Sequence, residues 1–446
     1  MINILFVAWE FPPLTAGGVQ RPLYFVKYLR EFGINPIVIT VPASGGKFGK
    51  EDHILMEEIP DNTPIEKIDC EFKNHSYLNK FTEWVDYYFS LVEKHGEAWE
   101  TFIKSAMPGL VEKYKPKAIY VTIPPFSMAP LWVSIGKQYK LPVLLDFRDA
   151  WSQWVNSPYA TRFHYKALVR LENKCINSAS ALICTSRQIA DDLKRIHPKL
   201  QEEKIVVITN GFDRELRTWQ PVTPQKKSGK FIIGYVGSFY YAPQAMEDMF
   251  KPWWKKPVHR MLQYTPHKEN WLYRTPYFLF RSLDLLFKKY PDYKNSTLIR
   301  FAGIKPDWID AQINLMGLQE NCEFVGHLNF NEVIKFEEDC DALLITSSKV
   351  IGGRDYSIAG KTYEYFTIGK PIIAFVTEGA QKDILQPSGM SILCNPDDTE
   401  GSAGLLKSLF DGEISLQPDH EYLKQFKRKN LTEQLAGMIR KIVVNN

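Results

Sequence analysis

The sequence of 446 residues has no long hydrophobic run, and its charges nearly cancel. No stretch approaches the roughly 18 apolar residues that a helix needs to cross a bilayer, so any membrane contact has to be peripheral. The first residues, Ile2–Val7, read as a strand and lack the basic start and cleavage site of a signal peptide. The formal net charge of +4 is too small to favour nucleic acid, and we expect no such partner.

Cysteine is also scarce, with only six residues in the whole chain. None of them forms a Cys-x-x-Cys pair or lies near a histidine at the spacing of a metal site. Scattered cysteines in a chain of this length are typical of a reducing compartment. We therefore expect a cytoplasmic protein whose cysteines are free, buried thiols.

Short apolar runs alternate with longer amphipathic segments, as in Ile2–Val7, Val19–Glu31 and Pro36–Val41. This alternation of strand and helix predicts βαβ units and doubly wound parallel sheets. The chain is too long for one ordinary core, which favours two domains of about 200 residues each. We expect an α/β protein with two Rossmann-like doubly wound domains that face each other across a cleft.

The domain boundaries are predicted from the places where this alternation stops. Between 216 and 230 the pattern dissolves into proline, lysine, serine and glycine, which is typical of a linker. We therefore assign an amino-terminal domain to 1–215, a carboxy-terminal domain to 231–418 and a terminal helix to 419–446.

Residues 240–273 of the second domain show neither the alternating pattern of a strand nor the repeat of an amphipathic helix. This segment is called the insert below. A structureless segment this long inside a compact domain is usually functional or mobile. Its tryptophans stand beside lysines, a combination that suits an anionic membrane surface. A packed lobe or a protein–protein surface is the alternative, whereas base stacking finds no support elsewhere in the chain. The candidate membrane or acceptor patch consists of Trp253, Trp254, Lys255 and Lys256.

A Gly-Gly pair follows the first predicted strand and precedes a predicted helix. Gly17 and Gly18 leave the backbone open to a phosphate, and the helix amino terminus offers free N–H groups to an anion. The pattern is not the Gly-x-Gly-x-x-Gly fingerprint of dinucleotide sites. A flexible strand-to-helix turn is the alternative interpretation.

Two charged residues, Arg148 and Asp149, follow the predicted strand Pro142–Asp146. They lie at the strand end where open α/β sheets bind ligands, which makes them candidates for contacts to a ligand. A buried structural pair between the two is an equally good account.

The stretch Lys361–Ala374 places one acidic residue, Glu364, in a short helix that ends at a Gly-Lys-Pro stop before a buried strand. A carboxylate at that position can accept both hydroxyls of a ribose, in bonds worth roughly 1.5–3 kcal/mol each. The alternative is a solvated glutamate on a surface helix.

Several of these segments, in chain order, resemble parts of the retaining glycosyltransferases of family four. They are Glu10–Arg21, Asp146–Trp151, Gly234–Phe239 and Lys361–Ala374, and the second resembles a bacterial subgroup that builds surface polysaccharides. The resemblance implies the GT-B fold, in which a terminal helix such as 419–446 packs back on the amino-terminal domain.

The resemblance also implies roles for single residues. After the insert, Arg274 resumes the family pattern and is the candidate for the arginine that binds the donor diphosphate. The partner lysine cannot be placed, although Lys256 and Lys268 are candidates. The implied donor-binding residues are Gly17, Gly18, Ser238, Arg274, Ser357, Lys361 and Glu364. The implied catalytic residues are Arg274, Tyr356 and Asp149, and the implied acceptor-side residues are Arg148 and Asp149.

The chain departs from the family at one position. The family carries a Glu-x7-Glu element, and here Tyr356 stands at the first acidic position, with Asp355 beside it. This weakens any inference about the donor sugar, although we do not interpret the change as inactivation.

The function that the resemblance implies is a retaining hexosyl- or related glycosyltransferase (class 2.4), acting in polysaccharide or other glycoconjugate synthesis. It would use a nucleotide-diphosphate sugar, a glycan or lipid-linked acceptor, no cofactor and no metal, because positive charge and helix amides can stabilise the leaving diphosphate. We expect a cytoplasmic location, with peripheral attachment to the inner face of the membrane if the patch of the insert binds lipid. The alternatives are a nucleotide-sugar epimerase-like enzyme and a non-catalytic binding subunit with the same fold.

Overall fold

The computed structural model divides the chain into two compact units, each assembled from separate segments. The first unit comprises Met1–Asn210, Pro252–Pro266 and Arg428–Asn446, and the second comprises Gly211–Lys251 and His267–Lys427. The residues that the structure describes are 1–14, 17–43, 53–71, 88, 90–153, 158–221 and 229–445.

The first unit is built on a parallel sheet in the order β3-β2-β1-β4-β5-β6-β7. Its central strands are buried on both faces because helices cover them, which explains their nearly continuous apolar sequences. The strands are β1 (Ile2–Val7), β2 (Ile34–Thr40), β3 (Ile65–Lys67), β4 (Ala118–Ile123), β5 (Val143–Phe147), β6 (Ala181–Cys184) and β7 (Ile205–Val207).

Helices connect most of these strands. Two of them begin at hydroxyl caps, since the side chains of Thr161 and Ser186 accept hydrogen bonds from the backbone N–H groups of His164 and Ile189. The helices are α1 (Gln20–Leu29), α2 (His95–Tyr114), α3 (Met128–Tyr139), α4 (Arg162–Ser178) and α5 (Arg187–Ile196), with 3-10 turns at Arg30–Phe32, Ile54–Glu58 and Glu202–Lys204. The sequence predicts two helices over Tyr77–Tyr114, of which α2 covers the second part. Residues 77–87 and 89 lie outside the described residues.

The second unit has its own parallel sheet in the order β11-β10-β8-β12-β14-β15, and a separate antiparallel pair, β9 with β13. Its strands are β8 (Phe231–Val236), β9 (Lys268–Asn270), β10 (Thr297–Ala302), β11 (Cys322–Gly326), β12 (Ala342–Thr346), β13 (Lys349–Ile351), β14 (Ile372–Phe375) and β15 (Ser391–Cys394).

The helices of the second unit pack on both faces of this sheet, against two separate apolar clusters. They are α6 (Pro243–Phe250), α7 (Tyr277–Lys289), α8 (Asp292–Asn295), α9 (Ile309–Leu315), α10 (Phe330–Glu338), α11 (Gly360–Ile368), α12 (Ala380–Leu385), α13 (Thr399–Phe410) and α14 (His420–Lys424). The 3-10 turns of the second unit are Trp271–Arg274, Gln319–Asn321 and Gln386–Ser388, while those at Trp253–Lys255 and Val258–Arg260 belong to the first unit.

The last helix, α15 (Arg428–Val444), belongs to the first unit. Its apolar face contributes to the same core as β1, β4 and α1 through Leu431, Leu435, Ala436 and Ile439. The sequence assigns the whole of 419–446 to the terminal helix, whereas the structure leaves α14 in the second unit.

The insert is the place where the predicted domain assignment differs most from the structure. The sequence places all of 240–273 in the second domain, but Pro252–Pro266 groups with the first unit. The cause is a backbone pairing in which Tyr159 and Tyr264 exchange N–H···O bonds of 2.8 and 2.9 Å. The rings of Tyr165 and Tyr264 also contact each other, tilted by 44° with centroids 4.9 Å apart.

The prediction of two Rossmann-like α/β units is confirmed, because each sheet is parallel and carries helices on both faces. Part of the predicted linker, 222–228, lies outside the described residues.

Candidate functional site

A cavity of about 220 Å³ lies within the second unit, at the carboxyl ends of β8 and β12. This is the edge of an open parallel sheet at which ligands bind. Four of the residues predicted to bind the donor line it, namely Ser238, Arg274, Ser357 and Lys361. Residues from three separate parts of the sequence therefore converge on one volume.

Arg274 is held at the end of the turn Trp271–Arg274, directly before α7 begins. Its backbone carbonyl accepts a 2.9 Å hydrogen bond from the hydroxyl of Thr346, which ties it to the end of β12. Its Nη2 donates to Oε1 of Glu269 at 2.6 Å. Burial lowers the pKa of Arg274, but the carboxylates of Glu269 and Asp355 outweigh it and the pKa is raised overall. Arg274 therefore keeps its charge beside the cavity.

Asp355 also lines the cavity, although it is only 2% exposed. Its Oδ1 accepts hydrogen bonds from the backbone N–H and hydroxyl of Ser357, at 2.9 and 2.6 Å. Burial raises the pKa of Asp355, while Arg274 and Ser357 act in the opposite direction. Tyr356, which stands between Asp355 and Ser357 in the sequence, packs into the interior of the unit. The carboxylate that faces this cavity therefore comes from Asp355, one position before the tyrosine.

Lys361 lies in the first turn of α11, with its Nζ 3.6 Å from the centre of the Tyr235 ring. Gly237 has a positive φ of 106°, and a Cβ there would lie only 3.3 Å from the Lys361 Nζ. Burial lowers the pKa of Lys361 to about 7, although the carboxylate of Glu337 raises it in part. The ammonium group is thus held next to the cavity at the amino end of a helix.

The start of α11 is fixed by Gln381, whose Oε1 accepts a 2.8 Å hydrogen bond from the backbone N–H of Ala359. At the other end the helix stops at Gly369, which adopts a left-handed conformation with φ 73°. Gly369, the glycine of the Gly-Lys-Pro stop, therefore serves as the C-cap of α11.

Glu364 lies one turn after Lys361 and pairs with Arg214, at 3.8 Å between Oε2 and Nη1. Its side chain is partly exposed. Nearby on α10, Glu337 is buried, and its pKa is raised to about 7 chiefly by burial and also by Glu364, against Arg214 and Lys361. Glu364 is therefore a partly accessible carboxylate in a charged cluster and not an isolated solvated side chain.

The Gly-Gly loop of the first unit packs against a charged pair. Nη1 of Arg148 donates to Oε2 of Glu10 at 2.9 Å, and its other terminal nitrogen donates to the carbonyl of Pro124. A Cβ at Gly18 would lie 1.3 Å from Arg148 Nη1, so any side chain there would displace the Arg148–Glu10 pair, whereas Gly17 has open space on that side. Asp149, the neighbour of Arg148, is half-buried.

A buried Arg–Asp pair does exist in this unit, but with other partners than Arg148 and Asp149. Arg21 donates from Nε and Nη2 to the two carboxylate oxygens of Asp146, at 2.7 and 2.8 Å. Tyr120 also donates to this carboxylate. Sequence reasoning missed the pair, although a charged residue at the end of a buried strand was a usable signal.

The predicted catalytic residues are divided between the two units, since Asp149 belongs to the first and Arg274 and Tyr356 to the second. The predicted patch belongs to the first unit. There the indoles of Trp253 and Trp254 are 60% and 63% exposed and meet edge to face at 5.8 Å. Lys255 is exposed and Lys256 half-buried.

Among the described residues, no group of three or more His, Cys, Asp or Glu is arranged to hold a metal ion. The sequence does contain an Asp-x-Asp string at Asp339–Asp341, but it precedes β12, and Asp341 accepts the backbone N–H of Ile232 at 2.8 Å. The absence of a metal from the reaction stays a prediction. The described helices also include none that is both long and apolar enough to span a membrane.

Comparison with known proteins adds the following. Residues 17–211 match the Glycosyl transferase 4-like domain. The chain is 21% identical to glycogen synthase of Mycobacterium tuberculosis, over 93% of this chain and 88% of that one. Among solved structures, sucrose-phosphate synthase from Thermosynechococcus elongatus aligns over 100% of both chains, with a TM-score of 0.59 and 14% identity.

The fold is that of the GT-B glycosyltransferases. The lipopolysaccharide outer core galactosyltransferase WaaB shares it, with a TM-score of 0.58, 14% identity and 99% of both chains covered. A UDP-GlcNAc 2-epimerase from Methanocaldococcus jannaschii also aligns, with a TM-score of 0.51, 9% identity and coverage of 99% and 100%. GT-B architecture alone therefore does not separate the predicted transferase from its epimerase alternative.

Proposed function

We propose that the protein is a retaining glycosyltransferase that moves a hexosyl or related group from a nucleotide-diphosphate sugar to a hydroxyl acceptor. The observation that carries the proposal is the convergence of Arg274 and Lys361, with the amino end of α11, on one cavity at the strand ends. Two cations and free helix N–H groups are what a diphosphate needs. The match of residues 17–211 to a glycosyl transferase 4-like domain supports the same assignment.

In this proposal the cations act on the leaving group. Negative charge grows on the diphosphate as its bond to the sugar breaks, and Arg274 and Lys361 stabilise that charge without a metal. Glu364 accepts the ribose hydroxyls, while Ser238 and Ser357 contact phosphate or sugar. Retention then needs no protein nucleophile, because the acceptor attacks on the face from which the diphosphate departs, and a diphosphate oxygen takes the acceptor proton. Arg148 and Asp149 serve the acceptor.

The acceptor we propose is a glycan or a lipid-linked glycan of surface polysaccharide or lipopolysaccharide synthesis. One structural neighbour is a galactosyltransferase of the lipopolysaccharide outer core, and the curated relative is a glycogen synthase. Both make glycans, which supports a carbohydrate acceptor and leaves its identity to experiment.

We further propose that the patch of the insert holds the protein on an anionic membrane at its cytoplasmic face. Between 252 and 266 the sequence has three lysines or arginines and no acidic residue. Exposed indoles beside such charges suit lipid headgroups, where tryptophan partitions to the interface and lysine reaches phosphate.

A thermal-shift screen tests the donor class. The purified protein is heated with UDP, GDP, ADP, CMP and their common sugars, with and without a chelator. A ligand at 100 times its dissociation constant adds about 2.7 kcal/mol to the free energy of unfolding. We expect one nucleoside diphosphate to stabilise the wild type in both conditions and Glu364→Ala much less. Stabilisation by none of them would refute the proposal.

The same purified protein can be assayed for the two alternative functions. An epimerase would interconvert two nucleotide sugars without an acceptor, which chromatography of the products detects. A non-catalytic subunit is favoured by Tyr356 in place of an acidic residue, and it would bind the donor without turning it over. Transfer of a radiolabelled sugar to an acceptor extract, with retention seen by NMR, distinguishes the transferase from both.

A further inference from the structure

The insert also contributes a side chain to the surroundings of the donor cavity. Its last residues form β9, which pairs antiparallel with β13 and sets Glu269 opposite Val350. Four residues after β13 the chain reaches Asp355, which lines the cavity. Glu269 is thus fixed by strand pairing to the segment that leads into the site.

Glu269 is only 1% exposed, and each of its carboxylate oxygens has its own partner. Oε1 accepts the 2.6 Å bond from Arg274 Nη2, and Oε2 accepts a 3.0 Å bond from Nε1 of Trp271. A buried carboxylate held at both oxygens cannot rotate without leaving a polar group unsatisfied, which is costly. The guanidinium that it holds is therefore restricted in orientation.

The charge of Glu269 makes its position informative. A carboxylate beside a cationic site weakens the binding of an anion by Coulomb repulsion alone. Its benefit to the site has to come from the orientation that it gives to Arg274. The two effects have opposite signs, so suitable variants separate them.

We propose that Glu269 is a positioning residue, which orients Arg274 toward the diphosphate of the donor. The inference rests on the proposed function, in which Arg274 contacts that diphosphate. It gives the second half of the insert a role in donor binding that is separate from the membrane patch.

The test is a double-mutant cycle on binding, measured by calorimetry with the tightest binder among UDP, GDP, ADP and inorganic pyrophosphate. Arg274→Ala should weaken binding about 10- to 100-fold, as expected for charge-assisted hydrogen bonds. Glu269→Ala should weaken it about three- to tenfold in the wild type and leave it unchanged within twofold in the Arg274→Ala background.

Glu269→Gln is the conservative variant, because its amide oxygen can still accept from Arg274, while the negative charge and the bond from Trp271 Nε1 are lost. We expect its affinity to stay within about twofold of the wild type or to increase. Glu323→Ala is the matched control. Glu323 lies on β11, away from the cavity, and its carboxylate pairs with Arg300 of β10 at 2.7 Å. Circular dichroism and the melting temperature confirm that each variant is folded before binding is measured.

The outcomes are distinct. If the wild type binds none of the four probes, the proposed function fails and the inference falls with it. If the wild type binds but Glu269→Ala does not lose affinity, or loses it equally in the Arg274→Ala background, only the inference is overturned. A loss in Glu269→Gln equal to that in Glu269→Ala overturns it as well.

Discussion

Donor binding should depend on the protonation of Lys361. The pKa of this ammonium group is lowered to about 7 by burial, with Glu337 as the charged group that raises it. In the free protein Lys361 is therefore charged below pH 7 and becomes neutral as the pH rises above it. A bound diphosphate favours the charged form, so binding should take up a proton at neutral pH.

The size of the effect follows from this pKa. If only the charged form of Lys361 binds the diphosphate, the apparent dissociation constant is proportional to 1 + 10^(pH − pKa). With the charge of Glu337 held fixed, the factor changes from about 1.1 to about 11 between pH 6 and pH 8, which is a tenfold loss of affinity or about 1.4 kcal/mol. Glu337, whose pKa is also raised to about 7, becomes charged over the same range and favours the ammonium form, so tenfold is the upper limit.

Calorimetry at pH 6, 7 and 8 measures the effect with the nucleoside diphosphate selected by the thermal screen. The ligand titrates in the same range, because the second pKa of a phosphate is near 6. Lys361→Arg provides the matched control, since its guanidinium stays charged throughout. The ratio of the dissociation constants, wild type over Lys361→Arg, should rise from pH 6 to pH 8, by up to about tenfold. A ratio that stays constant would refute the reasoning.

The remaining predictions concern other parts of the molecule. Asp146→Asn leaves Arg21 buried without its charge partner and should cost about 3–5 kcal/mol of stability, measured by urea denaturation; a loss below 1 kcal/mol would contradict this. Gly379→Ala should abolish donor binding in calorimetry, because φ is 152° and the new Cβ would lie 2.3 Å from the backbone oxygen of Asp355; unchanged affinity would argue against it. Trp253→Ala with Trp254→Ala should reduce co-sedimentation with phosphatidylserine-containing vesicles at least tenfold and leave donor binding intact, and equal sedimentation of the double variant would count against the membrane role.

The fold could be predicted from the sequence because its strands are buried on both faces. Segments such as Ile2–Val7 and Phe231–Val236 read as continuous apolar runs between helices. The position of Ser238 was also accessible, since residues that directly follow such strands gather at one sheet edge. Arg274 was placed only by the family resemblance, because the insert separates it from β8. Local pattern and strand order carry this information.

The insert could not be predicted in the same way. The strand β9 has only three residues, too few for a period, and its pairing with β13 joins residues about 80 positions apart. The pairing of Tyr159 with Tyr264 is likewise a contact between backbone groups, which no pattern of side chains predicts. The sequence therefore did not predict that Glu269 pairs with Arg274. It also did not predict that Pro252–Pro266 belongs to the first unit.

The assembly of the first unit from three stretches of chain has a consequence for biosynthesis. Its core includes Leu431, Leu435 and Ile439 of α15. A ribosome adds roughly 5–20 residues per second, so those side chains emerge many seconds after β7 has left the exit tunnel. The second unit, Gly211–Lys251 with His267–Lys427, is complete before α15 appears. The half of the protein that is translated first is thus the half that can finish folding last, and its unfilled groove for α15 is where a chaperone would have the longest access.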